Sequence, residues 1–356
     1  MGFCFLEEGR ASYGKWAVMK KDKRTLWKFF LLALIFLLPG NSARGGDSSG
    51  SVTPAINYFK QGRIQEAVTY LKEQIKEDAN NREARQTLAD IYLSSGEIKK
   101  AEKAYLELIK IDPDNSQALN NLGIAYLKEK KSKEAEKSFE KAVEKKPDSL
   151  QANYNLAELA LRSKNFEKAF EYFKKAEGVK ADPRLIHYKL GLVQARMGKF
   201  EAAIRDFKEA AKRDPNNLRT ATGLGLSYLF TKKFHEAARE FEKLTKASPQ
   251  NPFVHYNLGL AYQGMNQNEK ALKEFQKASE LNPPLIDVYL EAGNALRKLD
   301  RKEEAARQYQ KAIPLFEKLL KKDPRNSKAR SQLSKLLLAT GEVKQAEKNP
   351  RRKNEK

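Results

Sequence analysis

Residues 116–149 read SQALNNLGIAYLKEKKSKEAEKSFEKAVEKKPDS. Leu119, Leu122 and Tyr126 recur at helical spacing in the first half, and Ala135, Phe139 and Ala142 do so in the second. The segment therefore reads as two amphipathic helices. A small residue in each helix, Gly123 and Ala135, lets the two axes approach closely, and Phe139 fills the groove that remains. Pro147 cannot continue the second helix. Ser149 stands where an N-cap should open the next one.

The same features recur outward in both directions. Alanine stands at 67, 101, 135, 169, 203, 237, 271 and 305, always 34 residues apart. A large apolar residue follows four positions later (Leu71, Tyr105, Phe139, Phe173, Phe207, Phe241, Phe275, Tyr309), and a small one precedes each alanine by twelve (Ala55, Ala89, Gly123, Ala157, Gly191, Gly225, Gly259, Gly293). A fixed period of this length signals stacked helix pairs that share one quasi-continuous core. Asn81, Asn115, Ser149, Asn217, Asn251 and Asn326 fall at the expected N-caps of first helices.

The pattern resembles the tetratricopeptide repeat, in which a small residue, Tyr, Ala, an aromatic, Ala and Pro follow in fixed order; Gly123, Tyr126, Ala135, Phe139, Ala142 and Pro147 match it. Eight full repeats over residues 48–319 and a partial ninth near 327 cover roughly four-fifths of the chain. The resemblance implies an all-α, right-handed superhelical solenoid of stacked helix-turn-helix repeats, with the first helices lining the concave face. The first repeat lacks the Pro and the second Ala, as a terminal repeat facing solvent can. The period breaks once: Ala305 to Ala346 is 41 residues, seven too many. Seven residues are about two helical turns, so the second helix of the eighth repeat should be lengthened, with a kink or break at Pro314. Residues 320–348 then comprise that lengthened end and a capping partial repeat, and 349–356 form a basic tail that looks disordered.

Residues 1–43 read differently. Lys20, Lys21, Lys23 and Arg24 precede the apolar run Trp27–Leu38, which is followed by Pro39-Gly40 and the small residue Ala43. This order is that of a secretory signal, with Met19 as the physiological start and cleavage after Ala43. A run this short falls well below the roughly 30 Å of a bilayer core. Export to the periplasm, the cell envelope or the medium is expected; the alternative is tethering by an uncleaved N-terminal segment. Residues 44–51 (RGGDSSGS) read as a flexible linker.

The inventory of reactive residues is small. The chain has one cysteine, Cys4, and three histidines in 356 residues, which excludes an internal disulfide and leaves little for metal or acid–base chemistry. His187 and His255 occupy the fourth place of a repeat, where a large core-facing residue is usual. His235-Glu-Ala-Ala-Arg239 imitates half of a zinc-protease motif but carries Arg at the second ligand position. Gly223-Leu-Gly225 lies inside a helix, unlike a phosphate-binding loop. No enzyme, metal or cofactor is expected.

Partner binding is the expected role. In the resembled family the sixth place of each repeat faces the concave surface, and here it holds Asn121, Asn155 and Asn257, interrupted by Lys189, Gly223 and Glu291. Amides can grip an extended peptide backbone without reading its side chains. This resembles the asparagine ladder of the O-linked N-acetylglucosamine transferases. Tyr154, Tyr188 and Tyr256 at the fifth place add flat apolar contact, and Lys189, Arg196 and Arg219 complete the expected partner-binding set as cationic residues. The carboxylate clamp of cochaperone repeats, Lys at the fifth place with Asn at the ninth, occurs in no repeat.

The formal charge of +22 is unevenly spread. Residues 184–251 hold 14 basic against 7 acidic residues, a net of +7, and residues 320–356 hold 12 against 4, a net of +8. Two further readings follow: binding of a polyanion or anionic envelope surface through these zones, and service as the accessory subunit of an envelope assembly complex. Nucleic acid would require stacking aromatics on a basic surface, and export argues against it. The favoured reading is a non-catalytic scaffold for protein or peptide partners; their identity and the oligomeric state are not written in the sequence.

Overall fold

The computed structural model describes residues 51–177 and 182–341, which are all-α, with seventeen helices and no strand among them. The expected signal segment, most of the 44–51 linker, the end of the 320–348 segment from residue 342 onward and the 349–356 tail lie outside the described residues. Among those described, no helix is long and apolar enough to cross a membrane.

The chain divides into two compact units between Ala152 and Asn153. In the first unit, α1 (Thr53–Lys60) pairs with α2 (Ile64–Glu77), α3 (Arg82–Ser95) with α4 (Ile98–Ile111), and α5 (Ser116–Lys128) with α6 (Ser132–Lys145). The division falls within α7 (Leu150–Arg162). The second unit continues with α8 (Phe166–Glu177), then α9 (Pro183–Arg196) with α10 (Phe200–Arg213) and α11 (Leu218–Phe230) with α12 (Phe234–Ala247). It ends with α13 (Pro252–Gly264) on α14 (Asn268–Leu281), α15 (Ile286–Lys298) on α16 (Lys302–Lys322), and α17 (Ser327–Ala339).

Each unit is held by the recurring residues. The eight alanines of the second helices are all buried, and Leu71, Tyr105, Phe139, Phe173, Phe207, Phe241 and Phe275 are each at most 1% exposed. Burial of each of these side chains is worth about 1.5–3 kcal/mol. At the glycine positions the ring lies directly against the first helix: a Cβ at Gly259 would stand 2.5 Å from Phe275 Cε1, whereas Ala89 and Ala157 hold the same place beside Tyr105 and Phe173. First helices also touch first helices of the next pair, α3 with α5, α9 with α11, α11 with α13 and α13 with α15, and so form a shared surface within each unit.

The helix ends follow local chemistry. Asn81, Asn115, Asn217, Asn251 and Asn326 accept backbone N–H bonds at their N-caps, as does Ser149 from Ala152 at 3.4 Å. The turn within each pair carries a left-handed residue at 62, 96, 130, 164, 198, 232, 266 and 300. Three of these are glycine; Lys130, Lys164, Lys232, Asn266 and Asp300 adopt the same positive φ. Lengthened α16 has 21 residues and runs through Pro314 as one helix, so of the expected kink or break the break does not occur. Pro314 and Gln310 are both exposed, while Ala312, Ile313 and Phe316 are buried, so the carbonyl that loses its helical donor belongs to a residue of the solvent side.

Candidate functional site

In the first unit, α1, α3 and α5 enclose a groove of about 260 Å³, walled by Ile56, Phe59, Ile91 and Ile124 and floored by polar groups. Asp90 is the centre of that floor. Its Oδ1 accepts from the Tyr105 hydroxyl, from Gln86 Nε2 at 3.0 Å and from Asn121 Nδ2 at 2.9 Å. Burial pushes the Asp90 carboxyl above its ordinary range, and these three hydrogen bonds offset part of that shift. Burial also pushes the Tyr105 hydroxyl well up, with the Asp90 charge adding to it. Asn121 is buried, with its amide donating to Asp90 and its carbonyl oxygen accepting from Asn120 Nδ2 at 3.0 Å. Gln86 Oε1, by contrast, is buried with no hydrogen-bond partner among the described residues. The groove therefore combines apolar walls with a polar floor, which suits a largely apolar segment.

The second unit brings most of the sequence-selected residues together. The rings of Tyr154, Tyr188 and Tyr256 lie 5.5, 6.0 and 5.9 Å from Phe173, Phe207 and Phe275. Their shared place in the repeat thus puts each tyrosine against the core aromatic of its own pair. Burial, then the neighbouring Glu158, raises the Tyr154 hydroxyl. Burial also raises Tyr188, against a lowering by the positive charges of Arg219 and Arg196. Lys189 Nζ lies 2.6 Å from Glu158 Oε1. Tyr154 and Glu158 on α7, Tyr188, Lys189 and Arg196 on α9, and exposed Arg219 on α11 therefore form one electrostatically connected patch of first-helix residues.

The two remaining amides behave differently from each other. Asn155 is half-buried on α7. Asn257 is buried and donates to the Phe253 carbonyl of its own helix at 2.7 Å. Tyr256 beside it is nearly covered, and burial raises its hydroxyl.

Two features were missed by sequence reasoning. Gln86 and Asp90 are invisible as a groove floor until α3 and α5 are placed side by side. The second is a group of potential metal ligands, Glu177, His187 and Asp206, whose donor atoms all lie within 4.8 Å of one another. The 34-residue register held a hint: His187 and Asp206 stand 68 residues before His255 and Glu274, and both His–carboxylate pairs form.

Comparison with known proteins agrees with this architecture. Family models described as tetratricopeptide repeat match residues 58–124 and 303–348, residues 120–185 and 188–252, and residues 252–284. Among solved structures, YrrB, described as a TPR protein with an unusual peptide-binding site, is 20% identical, with a TM-score of 0.50 over 52% of this chain and 96% of that one. MamA 41-end from Desulfovibrio magneticus RS-1 is 26% identical, with a TM-score of 0.46 over 50% of this chain and 97% of its own. A MamA RS-1 double mutant is 28% identical, with a TM-score of 0.45 over 47% and 93%. No curated protein matches the chain in sequence.

Proposed function

The chain belongs to the tetratricopeptide repeat family, and on that premise we propose that it is a non-catalytic scaffold, exported to the cell envelope or beyond, that binds protein or peptide partners on its first-helix surfaces. The observation that carries the binding site is the patch of Tyr154, Glu158, Tyr188, Lys189, Arg196 and Arg219 on α7, α9 and α11. Aromatic faces beside an exposed guanidinium are the residue types that dominate partner binding. The groove floored by Gln86 and Asp90 is a second such surface, on the first unit.

Charge pairing favours a protein partner over a bulk polyanion. Within the basic zone 184–251, Lys189, Lys212 and Lys243 are each paired with a glutamate, the last two within their own helix turn. Export rests on the order of basic cluster, apolar run and small residue in 1–43. N-terminal sequencing of the protein recovered from fractionated cells should give Arg44 as the first residue; recovery of an intact N-terminus from the cytoplasm would remove the export reading.

The scaffold reading is tested by crosslinking in intact cells followed by mass spectrometry, with full-length Tyr188→Ala and Arg219→Ala chains beside the unaltered one. Both variants should lose the crosslinked partner at least tenfold at equal protein level. Retention of every partner by both would dispose of this patch. Crosslinks confined to the basic zones and abolished by moderate salt would favour the polyanion reading instead.

A further inference from the structure

We propose that Glu177, His187 and Asp206 form a binding site for one divalent transition-metal ion, with Zn²⁺ as its best-fitting occupant. The three donors come from the end of α8, from α9 and from α10, all within the second unit. His187 Nδ1 lies 2.8 Å from Asp206 Oδ1 and 3.6 Å from Glu177 Oε1. Two ligands each about 2.1 Å from a zinc ion stand about 3.4 Å apart at the tetrahedral angle, so these separations bracket those that coordination requires. One imidazole and two carboxylates form a mixed nitrogen–oxygen set suited to Zn²⁺ and its neighbours rather than to calcium. The side chains keep 30%, 22% and 14% exposure for Glu177, His187 and Asp206, which leaves a route for the ion and a place for water as a further ligand.

The repeat itself argues that Glu177 is not there for packing. The equivalent place holds Ile75, Ile109, Val143 and Ile313, all of which pack in hydrophobic clusters, and Ala211, Thr245 and Ser279 in the remaining repeats. In the fourth repeat alone that place holds a carboxylate, and it does so beside a histidine and an aspartate. Lys174 Nζ, 2.7 Å from Glu177 Oε2, neutralises one oxygen and leaves Oε1 directed at His187.

The second His–carboxylate pair is an internal control. His255 Nδ1 lies 2.6 Å from Glu274 and its Nε2 lies 2.9 Å from the Pro249 carbonyl, so both ring nitrogens are engaged. Thr245 occupies the place of Glu177 there, and among the described residues no third carboxylate completes a ligand set. The pair alone is a structural hydrogen bond; the pair plus Glu177 is a coordination site.

The test is calorimetric titration of chelator-treated full-length protein with Zn²⁺, read together with metal content after dialysis. The unaltered chain should bind one Zn²⁺ saturably. His187→Ala and Glu177→Val should each weaken binding at least tenfold, while His255→Ala should leave it unchanged. Glu177→Val installs the residue found at Val143, so its helical signal and thermal midpoint should be retained while metal binding is lost. Absence of binding at millimolar Zn²⁺, or binding by His187→Ala and Glu177→Val equal to that of the unaltered chain, would overturn the proposal.

Discussion

Gly223 stands at the sixth place of its repeat, where asparagine stands in three others, and its substitution by alanine should be coupled to the ring of Phe207. A Cβ at Gly223 would lie 2.5, 2.7 and 2.8 Å from Phe207 Cζ, Cε1 and Cε2. Carbon–carbon contacts are ordinarily about 3.5–4.0 Å, so the ring would have to retreat by about 1 Å. Its other side is also tight, since a Cβ at Gly191 would lie 2.9 Å from Phe207 Cδ1, and the residue is 1% exposed. Overpacking of this kind costs about 1–3 kcal/mol, whereas replacing a helical glycine by alanine gains about 1 kcal/mol. Gly223→Ala alone should therefore destabilise by about 0–2 kcal/mol, a range whose low end is hard to measure. Phe207→Leu removes all three clashing ring atoms. In that background Gly223→Ala should instead stabilise by up to about 1 kcal/mol. A double-mutant cycle measured by urea unfolding of the full chain should thus give a coupling of about 2 kcal/mol. Additivity within about 0.5 kcal/mol would refute the claim that these two glycines exist to seat the ring.

Lys232 adopts φ +58° in the turn between α11 and α12, the place that Gly62, Gly96 and Gly198 hold elsewhere. Lys232→Gly should raise stability by about 0.5 kcal/mol, the relief of left-handed strain reduced by the greater freedom of glycine in the unfolded chain; a lower urea midpoint would contradict it. Asp90, with its carboxyl raised by burial, contributes stability that is full below the ordinary carboxylate range and lost as pH rises through its raised value. Asp90→Asn should flatten that part of the stability–pH curve, measurable as urea midpoints from pH 4 upward. His255 is raised chiefly by its hydrogen bond to Glu274. Its contribution is present below the ordinary imidazole value and lost as pH rises through the higher one, so His255→Gln should remove a decline in thermal midpoint above about pH 6.5.

Much of the site was legible at the level of place within a repeat. Tyr154, Tyr188 and Tyr256 share one place, and the structure gives all three the same partner type, because the core aromatic nineteen residues onward is conserved in kind along the chain: Phe173, Phe207 and Phe275. The asparagines share a place too but not a fate. Asn121 finds Asp90 thirty-one residues earlier and spends its amide there. The residue equally spaced before Asn257 is Leu226, which offers no acceptor, so the Asn257 amide turns to its own helix at Phe253. A side chain that points between two repeats answers to whatever the neighbouring repeat supplies. The left-handed turn was half visible for a related reason. Gly62, Gly96 and Gly198 mark it, but lysine, asparagine and aspartate disguise the other positions, and the flanking helices impose the same turn on them.

By itself the sequence determined the period, the two helices of each pair, their N-caps and the buried alanine–aromatic register, because each depends on residues within one repeat. The tertiary structure alone decided the division after Ala152, the polar floor beneath the first-unit groove and the meeting of Glu177, His187 and Asp206. Each of those depends on side chains from different helices sharing a few ångströms. Spacing along the chain fixes which face a residue occupies; only packing fixes which partner it meets there.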